Sequence, residues 1–171
     1  VLQTMIVKNT QEIMSKINNQ DWVLQKIIEP VLFNGYKFDF RIYHFILRYK
    51  NDYYNIFSKV GFCKTSVHSY NPNSNNPHGF ITNVLYNNGT KKKHMYEVFD
   101  FISNFEREKS KQEEMKNKIY DIIRRYSKIL VRTKRQNNKG YDNLKAQIMI
   151  YGPDILFDQN KKPYLLETNC S

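Results

Sequence analysis

Residues Gly152 to Asn169 constrain this chain more than any other stretch. Gly152-Pro153-Asp154-Ile155-Leu156-Phe157-Asp158 and Pro163-Tyr164-Leu165-Leu166-Glu167-Thr168-Asn169 read as two strands joined by the polar loop Gln159-Asn160-Lys161-Lys162. Acidic residues stand where a buried hairpin would carry apolar ones. An antiparallel register that sets Asp158 opposite Pro163 also sets Asp154 opposite Glu167. Opposed residues on one face lie about 4.5–5.5 Å apart at Cβ. Asn169, two residues past Glu167, points to the same face. Two carboxylates and an amide oxygen converging there repel unless a cation joins them. Hard oxygen donors of this kind suit Mg²⁺, which keeps waters and shares its shell with substrate phosphates. The plainer alternative is a surface hairpin with scattered acids.

A chain of 171 residues is long enough for one domain with a real core. Its formal net charge of +11 selects acidic partners: nucleic acid, a membrane surface or an acidic protein. Cys63 and Cys170 are too few for a disulfide scaffold and lack metal-ligand spacing, so free thiols in a reducing compartment are expected. No apolar run approaches the ~18 residues of a membrane span, and the first residues carry no basic-then-apolar leader pattern. A cytoplasmic protein, with no membrane partner, is the expectation. The absence of an initiator Met and the stop directly after the acidic hairpin read as a piece of a longer protein.

Periodicity orders the rest. Thr10 to Asn19 reads as a helix with Thr10 as N-cap and Ile13, Met14 and Ile17 at helical spacing. Trp22 to Ile28 reads as a strand ended by Glu29-Pro30. Lys37 to Arg48 reads as a long strand entered through the turn Asn34-Gly35, and Tyr53 to Ser66 as a third strand or strand pair. Asn71 to Pro77 is a loop by composition. Glu97 to Leu130 has helical recurrence of Phe101, Phe105, Met115, Ile119, Ile122 and Ile123, with Glu106 to Glu114 as its solvated face. Arg132 to Lys139 reads as a basic loop, and Ala146 to Asn169 as the closing hairpin. Strands and helices mix without a repeating period, so the class is α+β.

The strand from Lys37 carries a second chemical signal. Period two puts Lys37, Asp39 and Arg41 on one face and Phe38, Phe40 and Ile42 on the other. Charges in a row on a strand with an aromatic back imply a polar cleft. Arg there holds phosphate as a fork and Lys as a point charge, while Asp39 accepts from a ribose hydroxyl. An edge-strand salt-bridge ladder is the competing reading. Gln25-Lys26-Ile27-Ile28 mixes polar and apolar groups in a way that fits a nucleobase slot.

Trp22-Val23-Leu24-Gln25-Lys26-Ile27-Ile28-Glu29, Lys37-Phe38-Asp39-Phe40-Arg41, Ile81-Thr82-Asn83 and Asp154 through Asn169, in that order, resemble the tubulin tyrosine ligase-like family of ATP-grasp ligases. The resemblance runs from about residue 20 to the end. It implies an ATP-grasp-like fold, a mostly antiparallel sheet with flanking helices, of which residues 1–171 form the central and C-terminal part of one catalytic domain. It further implies ATP- and Mg²⁺-dependent ligation of a free amino acid (tyrosine, glutamate or glycine) to a protein carboxylate, typically on tubulin, with cytoskeletal association. Matched position by position, Gln25, Lys26 and Ile28 line the adenine pocket. Lys37 and Asp39 stand near ribose and phosphates, and Arg41 is a phosphate or acceptor-site cation. Thr82 and Asn83 stand near nucleotide and acceptor, and Asp154, Glu167 and Asn169 are the Mg²⁺ ligands.

The match has departures. Lys64 stands where the family has Arg, keeping the catalytic charge without the fork. Phe80 replaces the His that precedes the Thr-Asn motif, and the family's upstream lobe has no counterpart before Trp22. The chain by itself is therefore expected to be inactive. His44, mid-strand, reads as a packed core histidine. The basic clusters Lys91-Lys92-Lys93, Arg124-Arg125 and Lys134-Arg135 read as solvated surface or as an attraction to acidic tubulin tails. Most aromatics fall at core spacing and no nucleic-acid motif occurs, so nucleic acid is not an expected partner. Two functions stay open: the ligase, and a non-catalytic basic tubulin-binding module derived from the same fold.

Overall fold

The computed structural model describes residues 7, 9–16, 24–50, 52–74, 76–82, 95–136 and 145–170. The tightest local signal is Asn34-Gly35, where both residues adopt positive φ, +51° and +84°. This is the conformation a two-residue hairpin turn with the sheet's own twist requires. It joins strand β1 (Leu32–Phe33) to β2 (Tyr36–Tyr49). A second turn, with Lys50 at φ +53°, leads into β3 (Asp52–Thr65). The strands β4 (Met95–Glu97), β5 (Ala146–Phe157) and β6 (Pro163–Cys170) complete one sheet in the order β4-β3-β2-β5-β6, with β1 against β2. Every named pairing is antiparallel. The α+β class with an antiparallel sheet holds.

Alternation on β2 divides the sheet into two chemistries. Phe38, Phe40, Ile42, His44 and Ile46 are buried on one face. Against that face pack helices α2 (Val98–Phe105) and α3 (Lys109–Gln136), through Val98, Phe101, Ile102, Met115, Ile119 and Ile123. Cys63, Ile155 and Phe157 close the same core from the flanking strands. Phe38 meets Phe40, Phe101 and Phe105, and Phe40 meets Phe101, edge-on or tilted at 4.8–5.7 Å, the geometry aromatic quadrupoles favour. The opposite face carries Lys37, Asp39 and Arg41. No helix among the described residues is long and apolar enough to cross a membrane.

The structure departs from the sequence-based expectations in five places. Helix α1 spans Thr10–Lys16, but its N-terminal cap is Asn9, whose Oδ1 accepts from the Glu12 amide at 2.8 Å. The rest of the expected helix lies outside the described residues. Leu24 to Glu29 forms no strand. Pro30 instead makes an isolated bridge with Asp158, and the Val31 amide donates to the Phe157 carbonyl at 2.9 Å. Trp22 lies outside the described residues.

The long helical stretch is two helices. Glu97 caps α2 by accepting from the amides of Phe99 and Asp100, and Glu106 ends it in extended backbone. Glu106 is no solvated charge: it is buried and paired with Lys161. Its carbonyl accepts from Gln112 at 2.8 Å, so the chain turns there before α3 begins. α3 in turn runs to Gln136, through the start of the expected basic loop. Finally, Pro163 lies opposite Phe157, not Asp158. Asp158 instead caps the loop, accepting from the amides of Asn160 and Lys162 at 2.9 Å each. A bulge at Leu166 then adds one residue, so Asp154 does face Glu167 as expected.

His44 is fully buried, as its mid-strand position implied, stacked on Phe57 with Nε2 3.3 Å from Asn55 Oδ1. Burial lowers its pKa below the ordinary 6.5, and the Asn55 contact offsets this only in part. The unfolded chain thus takes up the proton at higher pH than the folded one. The stability contributed by neutral His44 is complete above about pH 6.5 and is lost as pH falls toward the depressed folded-state value. Urea unfolding of wild type and His44→Gln at pH 7.5 and 5.5 checks this: wild type should lose more stability on acidification than the variant. Equal losses would refute it.

Candidate active site

The register of four strands brings the charged residues of the second face into one row. Asp39 on β2 lies opposite Lys64 on β3, Arg41 lies opposite Asp154 on β5, and Asp154 lies opposite Glu167 on β6. β2 is flanked on both sides, so the row is not an edge-strand ladder. Backbone details keep it in place. At Gly61 an added Cβ would sit 2.4 Å from the Arg41 carbonyl oxygen, so only glycine lets β3 approach β2 here. The β2–β5 ladder skips Gly152 and Pro153, where proline has no N–H to give, and resumes at Asp154.

The side chains form a continuous ion cluster. Lys64 Nζ stands 2.9 Å from Asp39 Oδ1 and 2.9 Å from Asp154 Oδ2. Arg41 grips Asp154 with both prongs, Nε donating to Oδ1 at 2.7 Å and Nη2 to Oδ2 at 2.6 Å. Its Nη2 is also 3.7 Å from Glu167 Oε1. Thr82 Oγ1 donates to the second Asp39 oxygen. Asp39, Lys64 and Asp154 are buried, whereas the Arg41 side chain is 26% exposed and that of Glu167 63%. Burial of Lys64 works against its charge, but Asp39 and Asp154 outweigh it and the ammonium pKa is raised. The hydrogen bonds to Asp154 likewise raise Arg41. Both cations stay charged at neutral pH.

Lys37 behaves differently. Its Nζ donates to the Phe80 carbonyl at 2.7 Å, and burial lowers its pKa against the pull of Asp39. It holds the 77–82 segment, which a short 3-10 turn (Pro77–Gly79) opens, rather than facing the cleft as a free cation. Ser66, which sequence reasoning missed, ties the same corner: its hydroxyl accepts from the Lys37 amide and donates to the His68 carbonyl. The sequence places Ser66 at the end of the third strand and carries no local signal for this role. Among the remaining expected site residues, Gln25 and Lys26 are exposed and Ile28 is half-buried in the unpaired stretch before Pro30. Asn83 lies outside the described residues.

The donor set fits a hard cation in kind. Asp154 and Glu167 supply carboxylates, and Asn169 lies beside Glu167, its Nδ2 donating to Glu167 Oε1 at 3.3 Å, which leaves the amide oxygen as the acceptor it can offer. No cluster of three or more His, Cys, Asp or Glu among the described residues could hold a metal by itself. Both Asp154 oxygens are already engaged by Arg41 and Lys64.

A mutational consequence follows from the burial of this cluster. Lys64→Met leaves Asp39 and Asp154 buried without their shared cation and should cost about 3 kcal/mol of folding stability, the scale of breaking a buried pair from one side. Urea unfolding measures it. A loss below about 1 kcal/mol, the scale of an exposed pair, would show that the cluster is not held as described.

Comparison with protein-family models matches residues 2–171 to one described as the tubulin-tyrosine ligase family. Comparison with curated proteins finds no match.

Proposed function

Because the chain belongs to the tubulin-tyrosine ligase family, which consists of ATP-grasp-type ligases, we propose that it serves ATP- and Mg²⁺-dependent ligation of an amino acid to a protein carboxylate. The observation that carries this reading is the row Asp39–Lys64–Asp154–Arg41, buried through Asp154 and leading out past half-buried Arg41 to exposed Glu167 and Asn169. It combines cations suited to phosphate with oxygen donors suited to the counter-ion of that phosphate.

In this reading Asp154, Glu167 and Asn169 hold Mg²⁺, which when bound neutralises charge on the transferring phosphoryl group. Arg41 and Lys64 face the phosphates and the acceptor carboxylate, where preorganised charge contributes most. Asp39 orients Lys64 and, with Thr82 and Asn83, borders the nucleotide. Lys37 acts at one remove, fixing the segment that carries Thr82. Gln25, Lys26 and Ile28 border the base. The γ-phosphoryl group passes to a carboxylate oxygen of the acceptor, releasing ADP. The amine of the free amino acid then attacks the acylphosphate carbonyl and expels inorganic phosphate.

The acceptor we propose is an acidic protein, tubulin being the family's own, approached by a chain of net charge +11 in the cytoplasm and at the cytoskeleton. Exposed Arg124, Arg125 and Lys134 on α3 add to that attraction. They equally suit the alternative, a basic binding module without turnover.

Calorimetry of ATP in Mg²⁺ buffer, on the protein in its full natural chain, separates the two. The ligase reading expects Mg²⁺-dependent binding that falls at least tenfold in Asp154→Asn/Glu167→Gln. A folded protein that binds no nucleotide would replace this reading with the binding module.

A further inference from the structure

The ion cluster does more than line a site; it closes one. Both oxygens of Asp154 are occupied, Oδ1 by Arg41 Nε and Oδ2 by Arg41 Nη2 and Lys64 Nζ. A metal ion arriving alone must take an oxygen from one of these cations and leave that cation beside it. The displaced group would lose its anion and face a new positive charge in a partly buried site, where such a contact is poorly screened. A metal arriving with a phosphate faces no such penalty, because the phosphate oxygens receive whichever cation lets go.

The two cations are not equally free to move. Lys64 is buried and also tied to Asp39, which Thr82 holds in turn. The Arg41 side chain is 26% exposed, long, and already within 3.7 Å of Glu167 on the cleft side. We infer that Arg41 is an exchangeable gate on the metal site: it neutralises Asp154 in the free protein and transfers its fork to phosphate when metal and nucleotide enter together. Lys64 stays behind as the fixed counter-ion of Asp39. This deepens the ligase reading and depends on it. Its content is thermodynamic coupling: metal and phosphate each strengthen the other's binding through one guanidinium.

The test uses Mn²⁺ as the metal, read from the electron paramagnetic resonance signal of the free ion, with and without a non-hydrolysable ATP analogue. No turnover is needed. Wild type should bind Mn²⁺ at least about tenfold more tightly with the analogue than alone, within the usual range of coupling between sites. Arg41→Ala should bind Mn²⁺ alone more tightly than wild type and lose most of the analogue's enhancement. Asp154→Asn should bind poorly in both conditions.

Equal Mn²⁺ affinity with and without the analogue in wild type overturns the gate while leaving the nucleotide site standing. So does an Arg41→Ala protein whose affinity for Mn²⁺ alone is unchanged. If Arg41→Ala does not fold, Arg41→Lys decides in its place: keeping the charge but not the fork, it should give a smaller enhancement than wild type, and an unchanged enhancement overturns the gate. Absence of any analogue binding in wild type is a different failure: it removes the ligase reading, and the gate with it.

Discussion

The arrangement depends on a buried lysine shared by two aspartates. Lys64 lies between Asp39 and Asp154, drawn from three different strands, and each of the three is nearly inaccessible to water. Unpaired, any one of these charges would be costly to bury. Together they specify which strands are neighbours and in what register, because sliding either partner strand by one residue turns its charge to the helix-packed side. Such a cluster adds little net stability over an apolar equivalent. In a sheet otherwise held by interchangeable apolar contacts, it distinguishes one alignment from its neighbours.

The rest of the sheet serves this division. One face is sealed by α2 and α3 over a phenylalanine-rich core, and the other is left for chemistry at the end where Asp39, Arg41 and Asp154 meet. Away from that end the second face is apolar and open, with Tyr54, Ile56 and Ile148 all exposed. The ionic end is the part whose geometry is fixed from several directions at once. Gly61 sets the strand spacing, Lys37 and Ser66 anchor the neighbouring segment, and Thr82 holds Asp39.

Much of this was legible in the sequence, for identifiable reasons. β2 declares itself by length and alternation, β3 was legible only as a strand or strand pair, and Asn34-Gly35 marks the turn before them. Asp154 and Glu167 were recoverable because charge on an alternating apolar strand is conspicuous. What escaped was set by partners distant in sequence. The break at Glu106 depends on Lys161, which no local pattern reveals. The extension of α3 through Gln136 overrode a composition that reads as loop. The bridging position of Lys64 and the diversion of Lys37 to a carbonyl oxygen are tertiary facts. A charged residue on a strand face announces that it has a partner, not which one.

The bulge at Leu166 has a wider bearing. Leu165 pairs with Ile155 and packs toward the core, yet Glu167, two residues later, opposes Asp154 on the opposite face. In a regular strand those two residues would share a side. The extra residue is a phase shifter: it lets one short strand serve the apolar layer with its first half and the ionic cleft with its second. Were Leu166 paired regularly instead of bulged, it would stand opposite Asp154, and Glu167 and Asn169 would turn inward together. In this strand the information that makes a ligand set is thus a matter of counting, carried as much by where one extra residue is left unpaired as by the identity of the acids.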